Sequence, residues 1–396
     1  MTITFFFNFL NHHQVLVADE MYKLLGGDFH FVATFPRNPA ELKGGKDYSD
    51  RPYCLLAAES EAANREAHRL NRESDVCVFG AANLAWEKER ATTGRMAFEV
   101  SERWLKKGWR NVFSPRLLQW WWFYQTRLRN KPFYRLCCSA FTAQDDVKLV
   151  CFKGRHFKWG YFTSVPRVEL RDYSLELREE SVGKNFVETS SEDVSTKGNK
   201  SATILWCARF LLFKHPELAI KLAGKLKEDG FHFRLDMIGD GEVRQQAEGL
   251  VDALGVKDCV RFLGVMPNEQ VLQQMSNHDI FLFTSDRYEG WGAVVNEAMA
   301  NGCCVVGSDA IGSVPYLVTD GATGMIFKSC DLDSLYEKVK YLLDNPEERQ
   351  RMAKAGRQRM VELWSPENAA KSLLQLIDDL QQGRYTSILQ GPCSKA

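Results

Sequence analysis

Two glutamates stand with seven residues between them in "DRYEGWGAVVNEAMANG": Glu289, immediately before a Gly-Trp-Gly turn, and Glu297, inside a helical pattern. Carboxylates are seldom buried unpaired, because desolvating a lone charge is costly. A site that grips hydroxyl groups has a use for two of them. The apolar run "DIFLFTS" precedes the first, so Glu289 falls just past the end of a buried strand. Gly290 and Gly292 let the chain turn sharply and let a ligand approach the backbone. A helix starting near Ala293 would aim free N–H groups at the same place, which suits phosphate. Two cations fit the same picture: Arg209 at the end of "TILWCAR" and Lys214 in "FLLFKHPE". A departing diphosphate needs such charges, from protein or metal. Gly239 and Gly241 in "IGDGE" form another glycine turn after a strand, able to present backbone N–H groups. Phosphate flanked by hydroxyls on both sides describes a nucleotide sugar.

These residues need a scaffold that brings strand ends together. In the first half, "ITFFFNF", "FHFVATF", "DVCVFGA" and "FYRLCCSAF" read as strands, and residues 14–25 and 60–73 as helices. The second half repeats the alternation in "TILWCAR", "FRLDMIG", "CVRFLG", "DIFLFTS", "CCVVGSD" and "TGMIF". Leu332, Leu335, Tyr336, Val339, Leu342 and Leu343 form one apolar helical stripe, with Asp331 placed to cap its start and Pro346 after its end. The fold class expected is α/β: two doubly wound, Rossmann-like domains facing a central cleft, with ligands at the carboxyl ends of the strands. Expected divisions are an N-terminal domain over 1–168, a polar linker over 169–200, a second domain over 201–370, and a C-terminal helix and tail over 371–396.

The 396 residues suit two domains, and 45% hydrophobic with 26% charged residues is ordinary for a globular chain. Net charge is zero, yet residues 1–168 carry 25 Lys and Arg against 17 Asp and Glu, and the remainder 26 against 34. That asymmetry points to different partners for the two halves. Eleven cysteines form no CxxC pair, and Cys137, Cys138, Cys303 and Cys304 lie in apolar runs, so they read as reduced core thiols of a cytoplasmic protein. "MTITFFFNFL" lacks a basic leader and a cleavage site and reads as a first strand. No run approaches the roughly 18 apolar residues of a membrane span.

Taken together, Glu289 and Glu297, Arg209 and Lys214, "GDG", "VRFLGVMPNEQV" and "LWSPENAA" resemble the donor domain of retaining glycosyltransferases of glycosyltransferase family 4, which have the GT-B fold. The resemblance covers residues 203–365. It implies that Glu289 contacts the donor sugar, Glu297 the ribose, Arg209 and Lys214 the diphosphate, and the backbone of Gly292 and Ala293 the phosphate. It also implies that Leu263 to Met266, with Val265 and Met266 foremost, flank the base of a UDP- or GDP-linked donor. No metal or other cofactor is implied. The lone Asp-x-Asp, Asp331 and Asp333, sits where a helix cap is expected.

The first half departs from the family. Asn11, His12 and His13 occupy the first strand-to-helix turn where relatives have a glycine-rich loop, and Phe79-Gly80-Ala81 stands where many carry a histidine. His13 is the substitute expected to assist the reaction, since imidazole donates or accepts near neutrality. Between Arg103 and Arg135 lie nine Lys and Arg, ten aromatics and no acid. Such a segment is expected to dock on the cytoplasmic face of the inner membrane and to serve a lipid-linked or oligosaccharide acceptor in surface polysaccharide synthesis. "FKWGYF", residues 157–162 with its leading Phe, is expected to pack where the domains join. Zero net charge argues against nucleic acid. The alternatives are a non-catalytic nucleotide-sugar-binding protein and a GT-B nucleotide-sugar epimerase.

Overall fold

The computed structural model describes residues 1–36, 48–166 and 201–396. The polar segment expected as a linker lies outside the described residues. Two wholly parallel sheets form, as alternating strands and helices require. The first holds β1 (Ile3–Phe7), β2 (Phe29–Ala33), β3 (Cys54–Leu56), β4 (Val76–Gly80), β5 (Met96–Ser101), β6 (Phe133–Cys137) and β7 (His156–Lys158) in the order β3-β2-β1-β4-β5-β6-β7. The second holds β8 (Ala202–Cys207), β9 (Phe233–Ile238), β10 (Val260–Gly264), β11 (Ile280–Phe283), β12 (Cys304–Ser308) and β13 (Met325–Phe327) in the order β10-β9-β8-β11-β12-β13. Helices cover both faces, which is why β1, β4, β11 and β12 are buried at every residue and read as unbroken apolar runs.

Local signals account for the helices that hold these sheets. Asp331 accepts from the Ser334 N–H at 3.0 Å and starts the helix Leu332–Asp344, whose Leu335, Tyr336, Val339, Leu342 and Leu343 are buried. Pro346 begins the next helix at a position where its missing N–H costs nothing. Asp333 instead pairs with Lys225. Ser60 caps Glu61–Glu73 in the same way as Asp331.

Each sheet reverses strand order once, between β1 and β4 in the first and between β8 and β11 in the second. Such switch points leave a crevice at the carboxyl ends of the strands. The two lobes meet over an aromatic cluster. Trp159 and Phe162 of "FKWGYF" pack edge to face at 4.9 Å, and Trp364 stacks on Phe162 and Tyr316 at 6.1 and 6.0 Å. Gly160 makes room for Trp291: a Cβ there would lie 2.4 Å from the indole. Trp291 is buried under the turn, and its Nε1 donates to Asn296 Oδ1 at 2.8 Å while Asn296 donates to the Tyr161 carbonyl at 2.9 Å.

The C-terminal helix runs over Pro366–Gln381, so a division at 370 falls inside it. It packs on the first-lobe helix Val15–Leu25. The tail then returns to the edge strand β7, where Lys158 N donates to the Ser394 carbonyl at 2.8 Å and Cys393 N to the Lys158 carbonyl at 2.7 Å. That covers an edge that would otherwise present unpaired backbone groups. Cys137, Cys138, Cys303 and Cys304 are buried, free thiols. Among the described residues no helix is long and apolar enough to cross a membrane.

Candidate active site between the lobes

The switch point of the second sheet places the ends of β8 and β11 side by side. A cavity of about 270 Å³ lies there, lined by Cys207, Lys214, Glu289, Gly292 and Ala293 of one lobe and by His13, Glu102 and Tyr161 of the other. Lys214 and Glu289 form an ion pair in which the lysine Nζ donates to Oε2, both side chains being largely buried. The lysine is also held 5.1 Å from the ring centroids of Phe213 and Phe283, a cation–π arrangement. Its backbone is pinned because the Thr284 hydroxyl donates to the Lys214 carbonyl at 2.7 Å and accepts from Trp206 Nε1 at 2.9 Å. The next residue, His215, takes a left-handed φ of 49° and is held by Glu217 and Asp286. Gly292 needs its φ of 80°, and a Cβ would meet the Phe283 ring at 2.5 Å.

Glu297 lies in the first turn of the short helix Val294–Ala300. Burial pushes its carboxyl up to about 7, with a hydrogen bond from Asn268 opposing the rise. Burial raises the Cys207 thiol at the end of β8, and Glu297 raises it further, but Glu297 itself does not line the inter-lobe cavity that holds Glu289. Asn268 opens the helix that follows Met266, which joins the base-flanking segment to Glu297.

Gly239 and Gly241, at φ of 127° and 153°, pack directly on the loop after β8: added Cβ atoms would stand 2.0 Å from the Ala208 carbonyl oxygen and 2.5 Å from that of Phe210. Gly239 N donates to the Gly264 carbonyl at 2.8 Å, which brings Val265 and Met266 alongside. Val265 is 75% exposed and Met266 half-buried, and neither lines the inter-lobe cavity. Arg209 stands two residues beyond the observed end of β8, on the same strand-end loop. It is exposed and does not line that cavity; its neighbour Ala208 does. The site therefore has two contiguous parts, one around Lys214 and Glu289 and one around the glycine turn.

His13 stacks on Tyr161 with centroids 4.7 Å apart, and its Nδ1 is buried without a partner. Burial, helped by His12, pushes its imidazole down to about 4, so the ring is neutral at pH 7. Glu102 is the site residue that sequence reasoning missed. It accepts from the Tyr161 hydroxyl at 3.0 Å and pairs with Lys106. A Cβ on Gly290 would stand 2.1 Å from its carboxylate, so Glu102 reaches the turn that carries Glu289. Its signal was a carboxylate one residue past β5, at the same strand-end level as the others. Among the described residues no group of three or more His, Cys, Asp or Glu is arranged to hold a metal ion.

A second cavity of about 860 Å³ opens at the switch point of the first sheet, lined by Asn8, Gly80, Ala81, Glu87, Glu99 and Trp104 among others. Ala81 adopts a left-handed φ of 53°, and the Phe7 ring fills the space a side chain at Gly80 would need. Glu102 and Tyr161 line both cavities and form their junction.

Residues 187–359 match the family described as glycosyl transferases group 1. Over 185 residues the chain is 32% identical to alpha-D-kanosaminyltransferase of Streptomyces kanamyceticus, covering 47% of this chain and 45% of that one. Over 194 residues it is 29% identical to an MMP alpha-(1->4)-mannosyltransferase of Mycolicibacterium hassiacum, covering 49% and 42%. The chain spans less than half the length of these curated relatives. The structure of Anabaena Alr3699/HepE in complex with UDP superimposes with a TM-score of 0.67 at 12% identity, over 96% of this chain and 100% of that one. At that identity the likeness speaks for the fold. Over residues 187–359 the chain is thus similar to the glycosyl transferases group 1 family, and its two lobes together form a GT-B fold.

Proposed function

We propose that the chain transfers a sugar, with retention of anomeric configuration, from a UDP- or GDP-linked donor to a lipid-linked or oligosaccharide acceptor in surface polysaccharide synthesis. The observation that carries this reading is the Lys214–Glu289 pair at a switch point, lining a cavity that both lobes share. Glu289 would accept hydrogen bonds from the donor sugar, and Glu297 from the ribose diol. Lys214, with Arg209 swinging in from the exposed loop, would offset the charge that grows on the diphosphate. Backbone amides near Gly292 and Ala293 and the glycine turn at Gly239 and Gly241 would receive phosphate oxygens, while Val265 and Met266 would flank the base. The binding of UDP by the structural neighbour Alr3699/HepE supports such a donor. These protein cations are the reason to propose transfer without a metal.

In the step itself, the acceptor hydroxyl attacks the anomeric carbon from the face the diphosphate leaves. The carbon–oxygen bond to phosphate breaks, and the departing oxygen takes the hydroxyl proton. His13, neutral and with an unpartnered nitrogen, would hydrogen-bond the donor or acceptor from the first lobe.

The 103–135 segment divides. Trp120, Phe123, Tyr124 and Arg135 are buried and serve the core, whereas Phe113, Leu118 and Trp122 are exposed beside exposed Arg110, Arg116, Arg127 and Arg129. The exposed half supports peripheral docking on the cytoplasmic membrane face. The test is incubation of the full chain with labelled UDP- and GDP-hexoses and polyprenyl-diphosphate-linked saccharides. Labelled glycolipid of retained configuration is expected; release of a new free sugar alone would point to the epimerase, and no turnover to a binding protein.

A further inference from the structure

The turn that carries Glu289 follows β11, and the first lobe holds it on both sides of the carboxylate. Upstream, Arg287 reaches across to the first lobe: its Nε donates to the Lys106 carbonyl at 3.0 Å and its Nη2 to the Leu105 carbonyl at 3.1 Å. A guanidinium presents its donors as a planar fork, so one side chain serves two successive carbonyls. Those carbonyls are themselves fixed. Leu105 is buried, and its N–H donates at 2.9 Å to Oδ2 of Asp145, which also pairs with Arg103. The Leu105 carbonyl accepts in addition from Gly108 N at 2.9 Å, closing a turn in which Gly108 takes a left-handed φ of 67°. Lys106 is paired with Glu102. Downstream, Gly290 sits between that Glu102 carboxylate and Gly312: an added Cβ on Gly312 would stand 2.0 Å from the Gly290 carbonyl oxygen. The Gly312 carbonyl accepts from Ala140 N of the first lobe at 2.9 Å. The second lobe holds the same turn through Asp286, whose N–H donates to the Phe213 carbonyl at 2.9 Å and whose carbonyl accepts from the Glu289 N–H at 3.0 Å.

Resting on the transferase reading, we propose that Arg287 is a positioning residue for Glu289: its two bonds to the first lobe hold the carboxylate in register with the donor sugar while the lobes are seated on each other. Arg287 is exposed and does not line the inter-lobe cavity, so its action is on the turn and not on the donor. It stands two residues before Glu289, and the intervening Tyr288 is itself 46% exposed and offers the turn little packing. With the fork removed, the upstream half of the turn follows the second lobe through Asp286, and Glu289 loses its reference to the groups of the first lobe, Glu102, Tyr161 and His13, that line the same cavity. The nucleotide-binding parts proposed above, around Lys214, Glu297 and the glycine turn at Gly239 and Gly241, belong wholly to the second lobe. The fork therefore bears on the transfer step and leaves nucleotide affinity alone.

The test compares the full wild-type chain with Arg287→Ala and Arg287→Lys in two readouts. In steady-state transfer, Arg287→Ala should lower kcat by about ten- to hundredfold, the range expected when a reacting group is misplaced by up to about an ångström. The donor KM and the affinity for UDP or GDP should stay within about twofold, since ground-state binding is untouched. Arg287→Lys, with one ammonium in place of the fork, should fall between the two. In hydrogen exchange read by mass spectrometry, residues 286–292 and 102–108 should exchange faster in Arg287→Ala than in wild type. An unchanged kcat, a loss confined to KM or to nucleotide affinity, or unchanged exchange across 286–292 would each overturn the proposal. If Arg287→Ala does not fold, Arg287→Lys decides by the same two readouts. A wild-type chain without transfer activity, whose 286–292 segment still exchanges faster in Arg287→Ala, would keep the hold on the turn and overturn the transferase reading instead.

Discussion

Lys214 and Glu289, 75 residues apart in sequence, meet as a partly buried ion pair where the second sheet reverses its strand order. Each is fixed by a different strand end, so the pair reports on the whole crevice. Glu289→Gln should keep the fold and lower turnover by about 10²–10³, the range seen when one preorganised charge-stabilising group is lost. Stability should fall by about 1–3 kcal/mol, less than for a fully buried pair, because solvent reaches both groups. Turnover assays and thermal unfolding of wild type and variant measure both.

Glu297 gives a pH signature. A carboxyl that holds its proton up to about 7, against an ordinary 4.5, binds more protons folded than unfolded across that window. Its contribution to stability is present below 4.5 and is lost as pH rises through 7, by up to about 3 kcal/mol. A ribose diol donates hydrogen bonds and favours the ionised form, so nucleotide binding should strengthen from pH 6 to 8 and release a proton. Calorimetry in buffers of different ionisation enthalpy detects that proton. Glu297→Gln should flatten the stability profile and abolish the release.

His13 carries the opposite sign. Its imidazole is pushed down to about 4, so protonating it costs folding energy as pH falls below the ordinary 6.5. Its ring-proton NMR signals should stay flat from pH 8 to 5.5, while an exposed histidine titrates. A midpoint between 6 and 7 would mean that the stack on Tyr161 does not hold.

Gly160→Ala should be destabilising by about 1–3 kcal/mol, since the added methyl enters the Trp291 ring and the interface has no space to give. Unfolding in denaturant measures the loss, and a neutral substitution would contradict the packing of the lobes around Trp291.

Membrane docking predicts that the chain binds phosphatidylglycerol vesicles more tightly than neutral ones, and that raised salt weakens the difference. Trp122→Ala with Phe113→Ala should reduce vesicle binding several-fold with the fold intact, because both rings are already exposed. Co-sedimentation measures it.

The parallel sheets were legible because strands buried on both faces leave unbroken apolar runs such as "ITFFF" and "IFLF". Glu289, Gly292 and Lys214 were legible because strand ends, glycines and charges coincide in short stretches. The reach of Arg209 was not, since whether a strand-end arginine turns inward depends on a rotamer that no local pattern sets. Glu102 was hidden at the edge of a basic aromatic segment whose bias drew attention to its cations. Half of that segment proved to be core: Trp120 and Arg135 interact at 4.8 Å inside the lobe, a pairing that composition cannot separate from a membrane face. Glu87 and Glu99 lie 12 residues apart on a helix and a strand and meet only through the sheet's topology.

Calorimetric titration of UDP and GDP into the full wild-type chain, the Lys214→Ala chain and the Glu297→Gln chain tests the central claim most directly. The account predicts that one of the two nucleotides binds, and that each substitution weakens it about tenfold or more in a chain that still folds. Binding of neither nucleotide, or equal binding by all three chains, would contradict it.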